Sequence, residues 1–394
     1  MSLNYKHGVC IPEYIFMENN LLASIIINNY NYDKFIGEAI NSALHQTYNN
    51  VEVIVVDDGS TDKSREIISQ FGEKIIPVLK QNGGQASAFN AGFEKSSGDV
   101  IFFLDSDDIL FPGAVENVIS YFEVKNIAKV HWPLTVINEE GVKTGEITPK
   151  GKLPEGDFKE HALTSGPPFF LNPPTSGNAW SRQFLESVMP IPENDFKIGA
   201  DTYLFETVPF FGLVNRIDQS LGAYRIHGRN NYNNKSFSQK LYSELSFYDS
   251  LFKTLDTYCK KLGLEADQKV WKDKSWFHWV AKAIEDIKKV IPEESKMILA
   301  DEGVWDAGKD LDGRSIYPFV EKDGAYDGVP IHDEHAITEL KRMYKMGVEY
   351  LVFTWITFWW LDGYPTLRKY LDDNYNCVYK NERVIIFDLK NNNS

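Results

Sequence analysis

Residues 22–28 (LASIIIN), 51–62 (VEVIVVDDGSTD), 74–80 (KIIPVLK) and 99–105 (DVIFFLD) are runs rich in β-branched and aromatic side chains. A helical pattern separates each run from the next. Over 33–47, Phe35, Ile36, Ala39, Ile40, Ala43 and Leu44 recur at helical spacing; 63–72, closed by Gly72, and 84–96 read the same way. Strands apolar on both faces, joined by helices, predict a parallel sheet covered on both sides. Sheets of that kind take ligands beyond the carboxyl ends of their strands. Asn28, Asp57–Asp58 and the acids of DSDD (105–108) stand at those ends, so polar groups converge on one rim. Asp105, Asp107 and Asp108 crowd like charges where a buried strand stops, and burial sharpens their repulsion. Something must supply a counter-charge.

Beyond 105 the text changes. Residues 160–235 are rich in Pro and Gly and read as irregular, and 237–262 and 266–290 as two helices. A second α/β pattern begins at KMILAD (296–301) and runs through a helix (334–346), EYLVFTW (349–355), a helix (364–373) and ERVIIFDL (382–389). The chain therefore divides into a first domain over 1–235, a helical extension over 236–292 and a small α/β domain over 293–394. With 41 Lys and Arg against 56 Asp and Glu, the net charge of −15 argues against a nucleic-acid binder, which needs a basic face. Cys10, Cys259 and Cys377 lie too far apart for a disulfide framework or a zinc cluster. Free thiols, no apolar leader and no run long enough to span a bilayer point to a cytoplasmic protein, with any membrane contact peripheral.

Seven segments in order resemble family-2 glycosyltransferases of the GT-A fold: SIIINNYN (24–31), AINSALHQTY (39–48), VIVVDDGSTD (53–62), NGGQASAFNAG (82–92), GDVIFFLDSDD (98–108), GADTYLF (199–205) and YRIHGRNN (224–231). Any one alone is a weak signal. The resemblance covers about residues 20–235 and implies a metal-dependent, inverting transfer of a sugar from a nucleotide diphosphate to an acceptor hydroxyl. A divalent cation, Mn²⁺ or Mg²⁺, would act as Lewis acid on the departing diphosphate, and hard oxygen ligands suit it.

The resemblance also implies site roles. Asp107 is the metal ligand and Asp105 the ribose contact, with Asp108 supporting them. Asp58 accepts from the nucleotide base, which favours a UDP-sugar; Asp58 can equally cap the following helix. Asn28 and Tyr30 sit where the base packs, although Asn28–Asn29 replaces the usual Pro and small residue. Phe89 stands where many relatives carry Arg, so Lys80 and Gln85 are expected to share the diphosphate with the metal. Asp201 matches the catalytic base, with Ala200 where Glu is common. His227 is a further metal ligand or a phosphate contact, and Arg225 and Arg229 reach phosphate. TSGNAWSR (175–182) lies where sugar and acceptor contacts are built; Trp180 is either a sugar platform or core.

The remaining segments are read from their residues alone. Trp271, Trp276, Phe277 and Trp279 are expected between helices, and Asp333 as a helix cap, since PIHDEHA (330–336) lacks metalloprotease spacing. PFVEKDGAYDG (318–328) is a candidate binding loop. Trp355, Phe358, Trp359 and Trp360 form a core, an interface or a carbohydrate platform. The expected pathway is cell-surface polysaccharide or glycolipid synthesis, with a glycan or lipid-linked glycan as acceptor. Two other readings stay open: a metal-dependent nucleotidyl- or phosphoryl-transferase, and a non-catalytic sugar- or nucleotide-binding protein.

Overall fold

The computed structural model describes residues 21–228, 237–305 and 310–390. It divides into two compact units, 1–162 with 169–228, and 163–168 with 229–394. In the first unit β1 (Ala23–Asn29), α1 (Ile36–Leu44), β2 (Val51–Asp58), α2 (Ser64–Ser69), β3 (Ile76–Lys80), α3 (Gln85–Lys95) and β4 (Val100–Asp105) follow the expected alternation. Helix α2 ends before Gly72, which opens a 3-10 turn instead of closing the helix. Next come β5 (Ile109–Leu110), α4 (Ala114–Ile119), β6 (Ile127–His131), β7 (Leu134–Ile137), β8 (Lys143–Thr148) and α5 (Lys159–Thr164). The segment read as irregular holds β9 (Asn178–Ser181), α6 (Arg182–Val188), α7 (Ala200–Thr207), β10 (Leu213–Arg216) and β11 (Gly222–Arg225). These elements are short, so their periodicity is lost among the flanking Pro and Gly. One has a legible start: the Ser181 hydroxyl accepts from the Phe184 N–H and caps α6.

The main sheet runs β10-β6-β9-β4-β1-β2-β3. Only β9 is antiparallel to its neighbours, and the mostly parallel sheet with flanking helices is the expected fold class. A smaller sheet runs β5-β11-β7-β8. The chain leaves β1 toward β2 and β3, then returns to β4 on the other side of β1. The strand order thus reverses between β1 and β4, where Asn28 pairs in register with Asp105. On one face Ile25, Ile27, Val53, Val55, Phe102 and Leu104 bury against α1 and α4; each such side chain contributes about 1.5–3 kcal/mol. On the other face Phe89 stacks on Phe103 with ring centroids 4.0 Å apart. The position where relatives carry arginine therefore belongs to the core.

The second unit contains α8 (Phe237–Lys261), α9 (Gln268–Lys274), α10 (Trp276–Val290), β12 (Lys296–Ala300), β13 (Asp310–Leu311), β14 (Arg314–Pro318), β15 (Glu321–Lys322), β16 (Ala325–Tyr326), α11 (Asp333–Lys345), β17 (Tyr350–Thr354), α12 (Trp360–Gly363), α13 (Pro365–Asn374), β18 (Asn376–Lys380) and β19 (Val384–Asp388). The single helix expected over 266–290 is two, broken at Ser275. The sheet order is β13-β14-β12-β17-β19-β18. The expected helical extension and the expected small α/β domain fall in one unit, because Val280, Ala283, Ile284 and Ile287 of α10 share a core with Met297, Leu299, Val352 and Ile386 of the sheet. Trp271 is buried beside Phe252, and Phe277 stacks on Tyr248. Trp276 and Trp279 instead meet Trp355 edge-on, at 5.1 and 5.6 Å. Asp333 does not cap its own helix. His332 does so, accepting from the His335 N–H, and Asp333 accepts from Leu367 N–H in α13.

Candidate active site

The carboxyl end of β4 delivers DSDD to the point where the strand order reverses. The three acids have different surroundings. Asp108 is buried; its Oδ2 accepts from the Ser176 hydroxyl at 2.6 Å and its Oδ1 from the Arg225 N–H at 2.9 Å. Burial first, then the neighbouring Asp107 and Asp105 charges, push its carboxyl well above the usual range. Asp105 is pushed up to about 8, by burial and then by Asp107 and Asp201, with the Thr175 hydroxyl opposing. Asp107 Oδ2 lies 2.9 Å from His227 Nε2. The His227 ring stacks on Phe35 at 5.1 Å and meets Tyr32 edge-on.

This arrangement fits a divalent cation in part. A carboxylate oxygen and an imidazole nitrogen are paired at the strand end, beside two carboxyls raised first by burial and then by the charges of neighbouring acids. Among the described residues no group of three or more His, Cys, Asp and Glu side chains forms a ligand set. The chain offers Asp107 and His227, and further ligands would come from elsewhere.

Asp201 sits in the first turn of α7. Its Oδ2 accepts from the Thr175 hydroxyl at 3.1 Å and its Oδ1 from the Thr202 N–H at 2.8 Å, while burial raises its carboxyl. Thr175 thus donates to Asp201 and lowers the neighbouring Asp105 carboxyl, while the Ser176 hydroxyl donates to Asp108 and its oxygen accepts the Asp105 N–H at 3.1 Å. Asn178 shapes this turn by donating to the carbonyls of Pro174 and Thr175. Thr175 and Ser176 open the segment TSGNAWSR expected to build sugar and acceptor contacts, but that they hold the acids was not legible from sequence. Their signal was two adjacent hydroxyls between Pro174 and a strand.

Three residues expected at the diphosphate are engaged by protein groups. Gln85 Oε1 accepts from the N–H groups of Gly199 and Ala200, both at 3.0 Å, and so caps α7 from a different helix. Gln85 N–H donates to the Lys197 carbonyl. Gly84 permits this approach: its φ is +89°, and a Cβ there would stand 2.5 Å from the Lys197 carbonyl oxygen. Lys80 pairs with Asp58 at 2.6 Å. Arg225 is buried, with Nε on the Asp107 carbonyl, Nη2 on Glu38 at 2.6 Å and Nη1 on the Glu139 carbonyl. Its guanidinium lies over Phe35, and its role is to hold the DSDD turn. Arg229 lies outside the described residues.

Asp58 accepts from Lys80 and from the N–H groups of Gly83 and Gly84. A carboxylate has about four acceptor positions, so one remains. Beside it is an open depression of about 440 Å³ lined by Gly59, Ser60, Arg65, Lys80 and Asn82. Neither amide atom of Asn28 has a hydrogen-bond partner, though both are buried. Tyr30 is exposed. Trp180 is core: it stacks between Phe184 and Phe205, beneath a buried Lys129 whose ammonium lies 4.4–5.2 Å from the rings of Phe205, Trp180 and Phe170. Among the described residues no helix is long and apolar enough to cross a membrane.

The profile of the family described as "Glycosyl transferase family 2" matches residues 24–169. An uncharacterised glycosyltransferase of Nostoc is 38% identical over 213 residues, 53% of this chain and 66% of the relative. Another, from Rickettsia typhi, is 46% identical over 99 residues, but these span only 31% of its length. Among solved structures, S. aureus TarS in complex with UDP-GlcNAc is similar at 17% identity and a TM-score of 0.46, over 70% of this chain and 77% of that one. A glycosyltransferase of Haemophilus influenzae is 31% identical over 225 residues, covering 54% of this chain and 68% of the relative. The order of motifs, the rim they build and these relatives agree: the chain belongs to glycosyl transferase family 2.

Proposed function

We propose that this chain transfers a sugar, with inversion, from a UDP-sugar to an acceptor hydroxyl, and that the transfer requires Mn²⁺ or Mg²⁺. The observation that carries this reading is the hydroxyl turn at Thr175–Ser176, which gathers Asp105, Asp108 and Asp201 at one strand end. Asp107 and His227 would hold the metal. When bound, the cation supplies Lewis acidity for the leaving diphosphate. Asp105 contacts the ribose. Asp58 accepts the imide N–H of uracil with its remaining lone pair, the unpartnered Asn28 amide adds a donor and an acceptor, and Tyr30 packs on the base.

Asp201 takes the proton from the acceptor hydroxyl as that oxygen attacks the anomeric carbon, opposite the departing diphosphate. Its raised affinity for protons, caused by burial, suits a general base. A cell-surface glycan, free or lipid-linked, is the acceptor class, and we place the protein in the cytoplasm, at most peripheral to the membrane.

The test separates binding from transfer. Asp201→Asn should bind UDP with Mn²⁺ as the parent does and lose at least about 10²-fold in transfer. Asp107→Ala should lose the Mn²⁺ dependence of UDP binding, read as the shift in thermal midpoint. Near-parental turnover in the first variant, or unchanged Mn²⁺ dependence in the second, refutes the assignment.

A further inference from the structure

The second unit has a strand-order reversal of its own. The chain leaves β12 toward β14 on one side, crosses to β17 on the other, then runs on to the edge strand β18 and returns as β19 between β18 and β17. The loops after β12 and β17 therefore part in opposite directions, and the crevice between their carboxyl ends is where open α/β sheets take ligands.

That crevice carries a particular set of side chains. Glu302, just after β12, accepts from the indole N–H groups of Trp359 at 2.8 Å and Trp360 at 3.0 Å, both through Oε1. Trp360 is fully buried and fixes the carboxylate. Trp359 is 48% exposed, an unusual cost for so large an apolar surface. Its ring is nevertheless held in place. The N–H is tied to Glu302, Tyr364 flanks it with centroids 6.0 Å apart, and Gly363 lies against it, since a Cβ there would stand 3.3 Å from Cε3. Tyr326 lies over the Glu302–Gly303 turn, 3.1 Å from the Cβ that position 303 lacks.

We infer that the carboxyl-end crevice between β12 and β17 is a binding site for a neutral glycan, with Trp359 as the platform and Glu302 as the hydroxyl acceptor. A pyranose presents one face of C–H groups and an edge of hydroxyls. An immobilised, half-exposed indole matches the face without the entropy of ordering a loose side chain. A carboxylate with one oxygen committed to indoles, flanked by phenols, matches the edge. Glu302, Tyr326, Trp359, Trp360 and Tyr364 include one carboxylate and no cation, so a phosphate-bearing ligand is disfavoured. The site lies wholly in the second unit, and its assignment does not depend on the chemistry of Asp201.

The full chain, with its indole nitrogens labelled with ¹⁵N, is titrated with methyl glycosides of glucose, galactose, N-acetylglucosamine and rhamnose at tens of millimolar. At least one glycoside should move the Trp359 Nε1 resonance saturably. Glu302→Gln should weaken that response about tenfold. Trp359→Ala should abolish the accompanying movement at Trp360, and Trp359→Phe, which keeps a stacking face, should retain part of it if the alanine variant fails to fold. The inference is overturned if no glycoside moves Trp359, if Trp360 responds equally in a folded Trp359→Ala, or if only tetramethylammonium, a cation for an aromatic cage, elicits a response.

Discussion

At the scale of single residues, the site depends on side chains that never meet substrate. Gln85 was expected to touch phosphate, yet its carbonyl oxygen closes the open N-terminus of α7 and so sets where Asp201 stands. An interhelical cap of this kind contributes about 1 kcal/mol. Gln85→Ala should therefore lower stability by about that amount, measured by denaturant unfolding, and reduce turnover while leaving UDP affinity nearly unchanged. A parallel loss of UDP affinity would return Gln85 to the diphosphate.

Arg225 teaches a related lesson. Adjacent to a motif histidine, it reads as a phosphate contact, but its guanidinium is enclosed by the Glu38 carboxylate, three carbonyls and the Phe35 ring. Removing it leaves those groups unmatched. Arg225→Met should cost about 3 kcal/mol of stability, seen as a lowered urea midpoint with or without nucleotide. Both observations have one cause. A sequence motif names a neighbour in the chain, whereas a polar group's partner is chosen by what the fold brings within reach.

At the scale of elements, the alternation from β1 to β4 was legible because each run is long enough to show its period. Elements between 159 and 225 were not, since α5, α6 and β9 to β11 span only four to seven residues each. In the second unit the helix α10 is fastened to the sheet by one acid. Asp286 is buried and accepts from Tyr379, Asn381 and Arg383 on the β18–β19 hairpin and from Lys289. Against the cost of burial, these donors hold its carboxyl down at about 2. The unfolded chain takes up that proton near pH 4, so the stabilisation is complete above that pH and is lost as pH falls toward 2. Asp286→Ala should destabilise the second unit by about 3 kcal/mol at neutral pH, and the difference from the parent should narrow below pH 4, followed by circular dichroism.

At the scale of the whole molecule, the charge of −15 acts through self-repulsion and solubility rather than through fold. Raising ionic strength from about 0.01 M to about 0.15 M shortens the screening length from about 30 Å to about 8 Å, so the thermal midpoint should rise with added NaCl, and the chain should pass through a heparin column unretained. By itself the sequence determined the parallel α/β architecture, the rim at which its polar residues gather and the family, because these follow from periodicity and from motifs contiguous in the chain. Only the tertiary structure decided that Thr175 and Ser176 organise the acids, that Gln85, Lys80 and Arg225 serve other protein groups, and that Glu302 meets Trp359 across more than fifty residues. Those pairings are contacts between distant segments. They depend on strand order and burial, which no local stretch of sequence contains.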